Sequence, residues 1–456
     1  SLKKRMPCRR IQHGPCPVNT HAAAGATGGA AGGAGVMAGI RVVELATVIA
    51  APTAGAYLAD MGADVIKIEP PGVPDMTRGW GGGDDPERTA SPELHQHLRA
   101  KRGGGGSAYV QTNRGKRSLL VDVQKPAGAA VLRRLLASAD VFITNVRTRS
   151  LQKTGLDYES LAPEFPRLVY AHLTAFGRVG PKVNDPGYDY GAWWAHTGIM
   201  DLVRSSDEGD MPRFPGGIGD NSTAVQLAGY IGLALFHRER TGKGQLVDAS
   251  LFRSGIAAIA QPLIMFAGGN SWARSVGPTH IRATTKPGER ATMITNAFFR
   301  CKDGTYVQLL GEDVRRHLRN TLAALDLTYT DLFGSERPDW SKVDWTAATR
   351  MAERVVASRS YQEWFPIFER HNVWFARIQR FENMFSDEQA VASGIFAQDV
   401  PGVRHPLIRS PVQLSADQAQ PRGSAPAFGE HTLEVLREAG FSEGELQRLH
   451  EDGVVK

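Results

Sequence analysis

The amino-acid sequence predicts an α/β protein, a parallel sheet covered by helices on both faces and joined to a second, smaller domain. Three observations carry that expectation. Short apolar, β-branched runs alternate with helical patterns through the first half of the 456 residues. The texture then shifts toward Trp, Arg and Thr between 270 and 385, and two amphipathic helices close the chain. A composition of 42% hydrophobic and 22% charged residues is that of a globular protein.

Residues 40–45 (IRVVEL) read as the first strand. Pro52 sits in the first turn of the helical pattern that follows, 53–61, which Gly62 stops. Residues 64–69 (DVIKIE) and 118–123 (SLLVDV) read as strands, and 126–137 as a helix with Leu132, Leu135 and Leu136 at helical spacing. Residues 141–145 (VFITN) and 168–173 (LVYAHL) are further strands. Between Trp80 and Tyr109 the pattern breaks: glycines at 81–83 and 103–106 bracket a polar segment with cancelling charges, read as an exposed insertion over 81–106. A helix is expected over 224–236, then a turn, strand and helix start in 242–251 (GKGQLVDASL), and a long apolar helix over 257–268. Amphipathic helices follow at 433–439 and 443–450.

The net charge of +6 raises the question of a polyanionic partner. Residues 1–36 carry five basic side chains and no acidic one, which leaves +1 on the rest. With a near-neutral body and no base-stacking motif, nucleic acid is not an expected partner. Cys301 is the only cysteine of the body, which excludes a disulfide framework or a cysteine-built zinc site there. No run reaches the roughly 20 apolar residues of a membrane helix, so no membrane partner is expected. The Ala/Gly-rich tail, 1–36, lacks the apolar core of a secretory signal. It reads as a disordered extension or an organelle transit segment, so the expected location is the cytoplasm, with the mitochondrial matrix as alternative.

No GxxxxGK[ST] phosphate loop or GxSxG elbow occurs, the glycines at 25–35 follow no strand, and His95 and His97 have no ligand-spaced partners, so no metal is expected. Two acidic residues stand in glycine settings: Asp189 in Gly187-Tyr188-Asp189 and Asp220 in 216–223 (GGIGDNST). An acid just ahead of a helix reads first as an N-cap, and composition alone favours that reading for Asp220. The functional alternative is a carboxylate placed where backbone N–H groups stabilise an adjacent oxyanion.

The run 39–69 resembles the opening of the class III coenzyme A transferases, the formyl-CoA transferase or CaiB/BaiF group that also contains α-methylacyl-CoA racemases. Residues 75–80 (DMTRGW), 113–122 (NRGKRSLLVD), 139–145 (ADVFITN), 187–189, 219–220, 241–248 (TGKGQLVD) and 429–432 (GEHT) follow in family order. The resemblance implies a Rossmann-like large domain built from both chain ends (37–250 and 386–456), a linker and small α+β domain at 251–385, and an interlocked homodimer. It also implies transfer of CoA from an acyl-CoA to a small carboxylic acid, with the CoA thioester as substrate and no tightly bound cofactor.

By resemblance the transferase nucleophile falls on Asp220, and the racemase aspartate, a secondary acid/base here, on Asp189. The histidine that racemases pair with it has no counterpart in 161–165 (LAPEF). The alternatives to transfer are a racemase or epimerase and a non-catalytic CoA-binding protein. A carboxylate suits transfer because it forms a mixed anhydride and then an aspartyl-CoA thioester, exchanging one activated acyl group for another. The resemblance places CoA near Val48, Val121, Asn145, Val146, Lys153 and Tyr188, and the acyl pocket near Trp80 and Trp193; core packing remains the other reading of Trp193 and Trp194. Thr47, Ile49 and Pro70 depart from the pattern of the formyl-CoA:oxalate enzymes, and 187–203 with 214–224 looks closer to transferases for aryl or branched acids.

Overall fold

The computed structural model describes residues 35–80, 105–204, 210–212, 214–269, 294–340, 342–415, 417 and 419–456. Nearly all of the tail and of the 81–106 insertion, including His95 and His97, lies outside these residues.

Six strands form one parallel sheet: β1 Arg41–Leu45, β2 Asp64–Glu69, β3 Arg117–Leu120, β4 Val141–Thr144, β5 Val169–Thr174 and β6 Leu246–Ser250. Their order is β3-β2-β1-β4-β5-β6. The connecting helices are α1 Ala50–Asp60, α2 Ser107–Asn113, α3 Pro126–Leu136, α4 Thr148–Thr154 and α5 Ile218–Thr241. The third strand ends earlier than the sequence suggests: Val121 still gives its N–H to the Glu69 carbonyl at 3.0 Å but pairs by a single antiparallel bridge with Val455 near the C-terminus.

Side chains on the two sides of each strand feed two cores. Val42, Val65, Ile143, Ala171 and Leu173 pack with α1 and α5, while Val43, Ile66, Ile68, Phe142 and Tyr170 pack with α3 and the C-terminal residues Val435, Leu436 and Leu446. A sheet buried on both faces explains why its strands read as continuous apolar runs.

The apolar run expected as one helix over 257–268 is two, α6 Leu251–Ala258 and α7 Ala260–Ala267, hinged at Ile259. Pro262 has no N–H to give the carbonyl four residues back, and it sits in the first turn of α7, where that N–H is not needed. No α7 residue is buried, and Ile264 is 70% exposed. Further on, β7 Phe298–Arg300, β8 Tyr306–Leu309 and β9 Phe375–Ile378 form an antiparallel sheet. It shares a core of its own, around Trp364, Phe368 and Leu322, with α8 Val314–Leu325, α9 Trp345–Val356 and α10 Tyr361–Arg370. Helices α11 Thr432–Glu438 and α12 Glu443–Glu451 then return to the parallel sheet.

Candidate active site

The strand order reverses between β1 and β4, so their connections leave in opposite directions and open a crevice beyond the carboxyl ends of the two strands. In open α/β sheets ligands bind at such a switch point. The turn from β1 into α1 is held there one peptide at a time. The Ala46 carbonyl accepts from Lys67 Nζ at 2.7 Å. Asn145, just past β4, takes the Thr47 N–H on Oδ1 (3.1 Å) and donates Nδ2–H to the Thr47 carbonyl (2.8 Å). The Val48 N–H donates to Asp75 Oδ2 at 3.2 Å. Val48 has φ +72°, a left-handed conformation that a β-branched residue resists. The Val146 carbonyl accepts from His172 Nε2 at 2.9 Å.

The fold thus brings Val48, Asn145 and Val146 together. It does not bring Val121 to them: that residue is fully buried at the end of β3, two strands from β1, against the C-terminal residues. Lys153 is exposed in the last turn of α4, Tyr188 is exposed beside Asp189, and Trp80 is half-buried after the turn Met76–Gly79.

Beneath the crevice lies a buried ion network. Glu44 on β1 stands opposite Lys67 on β2, with Lys67 Nζ 3.5 Å from Glu44 and 3.0 Å from Asp75. Lys116 Nζ lies 2.7 Å from Glu44 and also donates to the Pro52 carbonyl. Arg78 closes a second pair on Glu69 at 2.6 Å. Burial works against the Asp75 carboxylate, but Lys67 and the Thr77 donors outweigh it and hold its pKa below the ordinary value. Burial lowers the Lys116 pKa to about 8.

Two carboxylates meet at the N-terminus of α5. Asp189 opens a π-helical turn, Asp189–Ala195, a rare form that recurs at functional sites. Its Oδ2 accepts the Gly217 N–H at 2.9 Å, and its Oδ1 is buried. Gly217 is the N-cap of α5 at φ +94°, which suits glycine. Asp220 is therefore the third residue of α5 and not its cap, which corrects the N-cap expectation: the glycine turn at 216–217 starts the helix ahead of the acid. A Cβ on Gly219 would lie 2.3 Å from Asp189 Oδ1 and 2.3 Å from Trp193 Cγ, so a bare backbone is needed for this approach.

Burial raises the Asp189 pKa, and the N–H groups of Gly217, Gly219, the Trp194 indole and Asp220 pull it back toward the ionised form. Asp220 is pushed up to about 7, by burial and then by the neighbouring Asp189 charge. The pair borders the switch-point turn: Ile49 Cδ1 sits 3.4 Å from where a Gly217 Cβ would stand. Trp193 and Trp194 are buried in the core beside the pair, Trp194 stacked on Phe214 at 4.0 Å. The Trp193 indole N–H lacks a hydrogen-bond partner among the described residues.

Sequence reasoning missed the π turn, which has no periodicity of its own, and the ion network. The network did leave a signal. Glu44, Lys67 and Glu69 interrupt apolar strands that are buried on both faces, and charges in such places have to be paired.

Most of the chain is similar to proteins of known activity. It is 33% identical to the succinate–glutarate CoA-transferase of Agrobacterium fabrum, covering 88% of this chain and 95% of that one. It is 30% identical to the cinnamoyl-CoA:phenyllactate CoA-transferase of Clostridium sporogenes, over 91% and 96%. An α-methylacyl-CoA racemase of Mus musculus is 28% identical over 92% and 98%. The structure of a CaiB/BaiF family protein from Brucella suis superposes with a TM-score of 0.69 at 28% identity, covering 89% of this chain and 99% of that one. The profile of CoA-transferase family III spans residues 37–432, from the first strand to the start of α11, and the chain belongs to that family.

Proposed function

We propose that this enzyme moves coenzyme A from an acyl-CoA thioester to the carboxylate of a small acid, and that Asp189 and Asp220 form its reacting centre. The observation that carries the reading is the pair itself: two buried carboxylates at a helix N-terminus, bordering the switch-point turn where the resemblance places CoA.

The resemblance gives the nucleophile as Asp220. In this reading Asp220 keeps that role and Asp189 is the secondary acid/base. Burial raises both carboxyls, Asp220 to about 7 with the Asp189 charge beside it, while backbone N–H groups of the helix end draw Asp189 back toward the ionised form. An ionised carboxylate is the nucleophile that the reaction requires. The ionised Asp220 carboxylate attacks the thioester carbon, the C–S bond breaks, and CoA leaves as thiolate from a mixed anhydride. The thiolate attacks the aspartyl carbonyl and the first acid departs, leaving aspartyl-CoA. An acceptor carboxylate attacks that thioester and expels the thiolate. The thiolate then takes the new acyl group, freeing Asp220. Each step conserves an activated acyl group, so no resident cofactor enters.

The racemase alternative would need a second base. The buried His172 bonds the Val146 carbonyl, and burial lowers its pKa. We also carry forward the two-domain division, the cytoplasmic location and the homodimer as proposals. The last is supported by the exposed apolar residues of α7 and by Tyr230, Leu233 and Phe236 on α5.

The test is to incubate enzyme with acyl-CoA, quench with hydroxylamine, and locate the aspartyl hydroxamate. Trypsin cleavage at Arg204 and Arg213 puts Asp189 and Asp220 on separate peptides. The mark is expected on the Asp220 peptide, absent from Asp220→Asn and retained in Asp189→Asn. A mark on the Asp189 peptide moves the nucleophile to Asp189. No mark on either overturns covalent transfer at this pair.

A further inference from the structure

The turn 46–49 is more tightly specified than a connection needs to be. Three successive peptide units are each tied by a side chain from elsewhere in the fold: Ala46 by Lys67, Thr47 by Asn145, and Val48 by Asp75. The tie at Val48 stands out because the residue is strained there. A β-branched side chain at φ +72° persists only where its surroundings over-determine it. Asp75 is suited to that task. It is 3% exposed, and its Oδ1 accepts the Thr77 N–H at 3.0 Å and the Thr77 hydroxyl at 2.8 Å. Its Oδ2 meets Lys67 Nζ at 3.0 Å and the Val48 N–H at 3.2 Å. Lys67 in turn bonds the Ala46 carbonyl, so one ion pair grips the turn at both ends. The next residue, Ile49, lies against Gly217, the cap whose N–H holds Asp189.

We propose that Asp75 is a positioning residue. Paired with Lys67, it holds Val48 in its left-handed conformation, and so sets the coenzyme-binding turn and, through Ile49, the seat of Asp189. This rests on the proposed binding of CoA at the turn. Asp75 touches no reacting atom; its effect passes through the backbone. The chain of contacts runs from Asp75 to Val48, Ile49, Gly217 and Asp189, and the strain at Val48 is what the carboxylate counters.

Strain supplies the control. Glycine adopts φ +72° without penalty, so a Val48→Gly chain needs the pin much less. The experiment measures the Kd of free CoA by calorimetry, with kcat and KM, for four full-length proteins: wild type, Asp75→Asn, Val48→Gly and the double variant. A rise in CoA Kd of about tenfold or more is expected for Asp75→Asn in the Val48 background, where releasing a strained residue weakens the site. In the Val48→Gly background the same substitution should cost less than about threefold, because the strain to be countered is gone. An equal cost in both backgrounds, or a lowered melting temperature with Kd unmoved, overturns the proposal, since a merely structural ion pair would behave that way.

Should Asp75→Asn fail to fold, Thr77→Val decides. It removes one donor that orients Asp75 and keeps the charge, so it should raise Kd about two- to threefold in the Val48 background and leave it unmoved in the Val48→Gly background. An unchanged Kd in the Val48 background overturns the proposal. CoA binding is read without turnover, so the outcome is independent of which aspartate is the nucleophile. Loss of the coupling with a hydroxamate still found on Asp220 defeats this inference alone, and a missing hydroxamate with the coupling intact defeats only the proposed chemistry.

Discussion

Replacing Asp220 by asparagine should make the protein more stable, and increasingly so as the pH rises. In the folded chain the Asp220 carboxyl has its pKa raised from 3.8 to about 7, by burial first and the Asp189 charge second. A carboxyl with a raised folded pKa binds its proton more tightly when folded. Its contribution to stability is therefore largest below pH 4, is lost as the pH climbs from about 4 to about 7, and changes little above that. At 1.36 kcal/mol for each factor of ten, the ionised folded state is penalised by about 4 kcal/mol at pH 8. Asparagine at this buried site has its own desolvation cost, which brings the expected gain to about 2–4 kcal/mol. The assay is scanning calorimetry of wild type and Asp220→Asn at pH 4.5, 6 and 8.5, at one protein concentration. The melting temperature of the variant should exceed that of wild type by a gap that widens across this range. A gap that is flat with pH, or that favours the wild type at pH 8.5, would refute both the pairing of the two carboxylates and the assignment of the proton to Asp220.

Two further outcomes follow from the packing. Gly219→Ala places a methyl group 2.3 Å from Asp189 Oδ1 and from the Trp193 ring, both in buried surroundings. Overpacking of this kind costs about 1–3 kcal/mol, so a lowered melting temperature should accompany a fall in kcat of at least tenfold; unchanged kcat would mean that Asp189 does not need its present seat. Ile264→Asp, on the unburied helix α7, should shift the protein toward monomer in sedimentation velocity without lowering the monomer's helix content by circular dichroism, and an unaltered sedimentation profile would remove α7 from the proposed homodimer contact.

Most of the parallel sheet was legible because the signal for a strand buried on both faces is local. Runs such as VVEL at 42–45 and VFIT at 141–144 are apolar, short and bounded by turn residues, and the helices between them carry their own spacing. The boundaries shifted where a distant residue or a backbone restriction intervened. Val121 pairs with Val455 past the end of the third strand, an apolar run that reads as one helix breaks at Ile259 ahead of Pro262, and the Gly216-Gly217 turn started α5 ahead of Asp220. Of the candidate site, both aspartates were visible as acids in glycine settings, and Val48, Asn145 and Val146 through family resemblance. Asp75 was seen only as part of a motif. Its role depends on a carboxylate reaching a backbone N–H 27 positions away, and no spacing rule reports that contact.

The class of the fold was written in the order of residues, because burying a two-sided sheet imposes continuous apolar strands. The carboxylates could be located in the same way, because a glycine-lined acid leaves a local mark. How those carboxylates ionise depends on the folded arrangement. Asp189 and Asp220 are 31 positions apart, and burial acts on both, the N–H groups of one helix end on Asp189, and the Asp189 charge on Asp220. These are distance-dependent interactions, and they exist only once the chain has folded the two groups together.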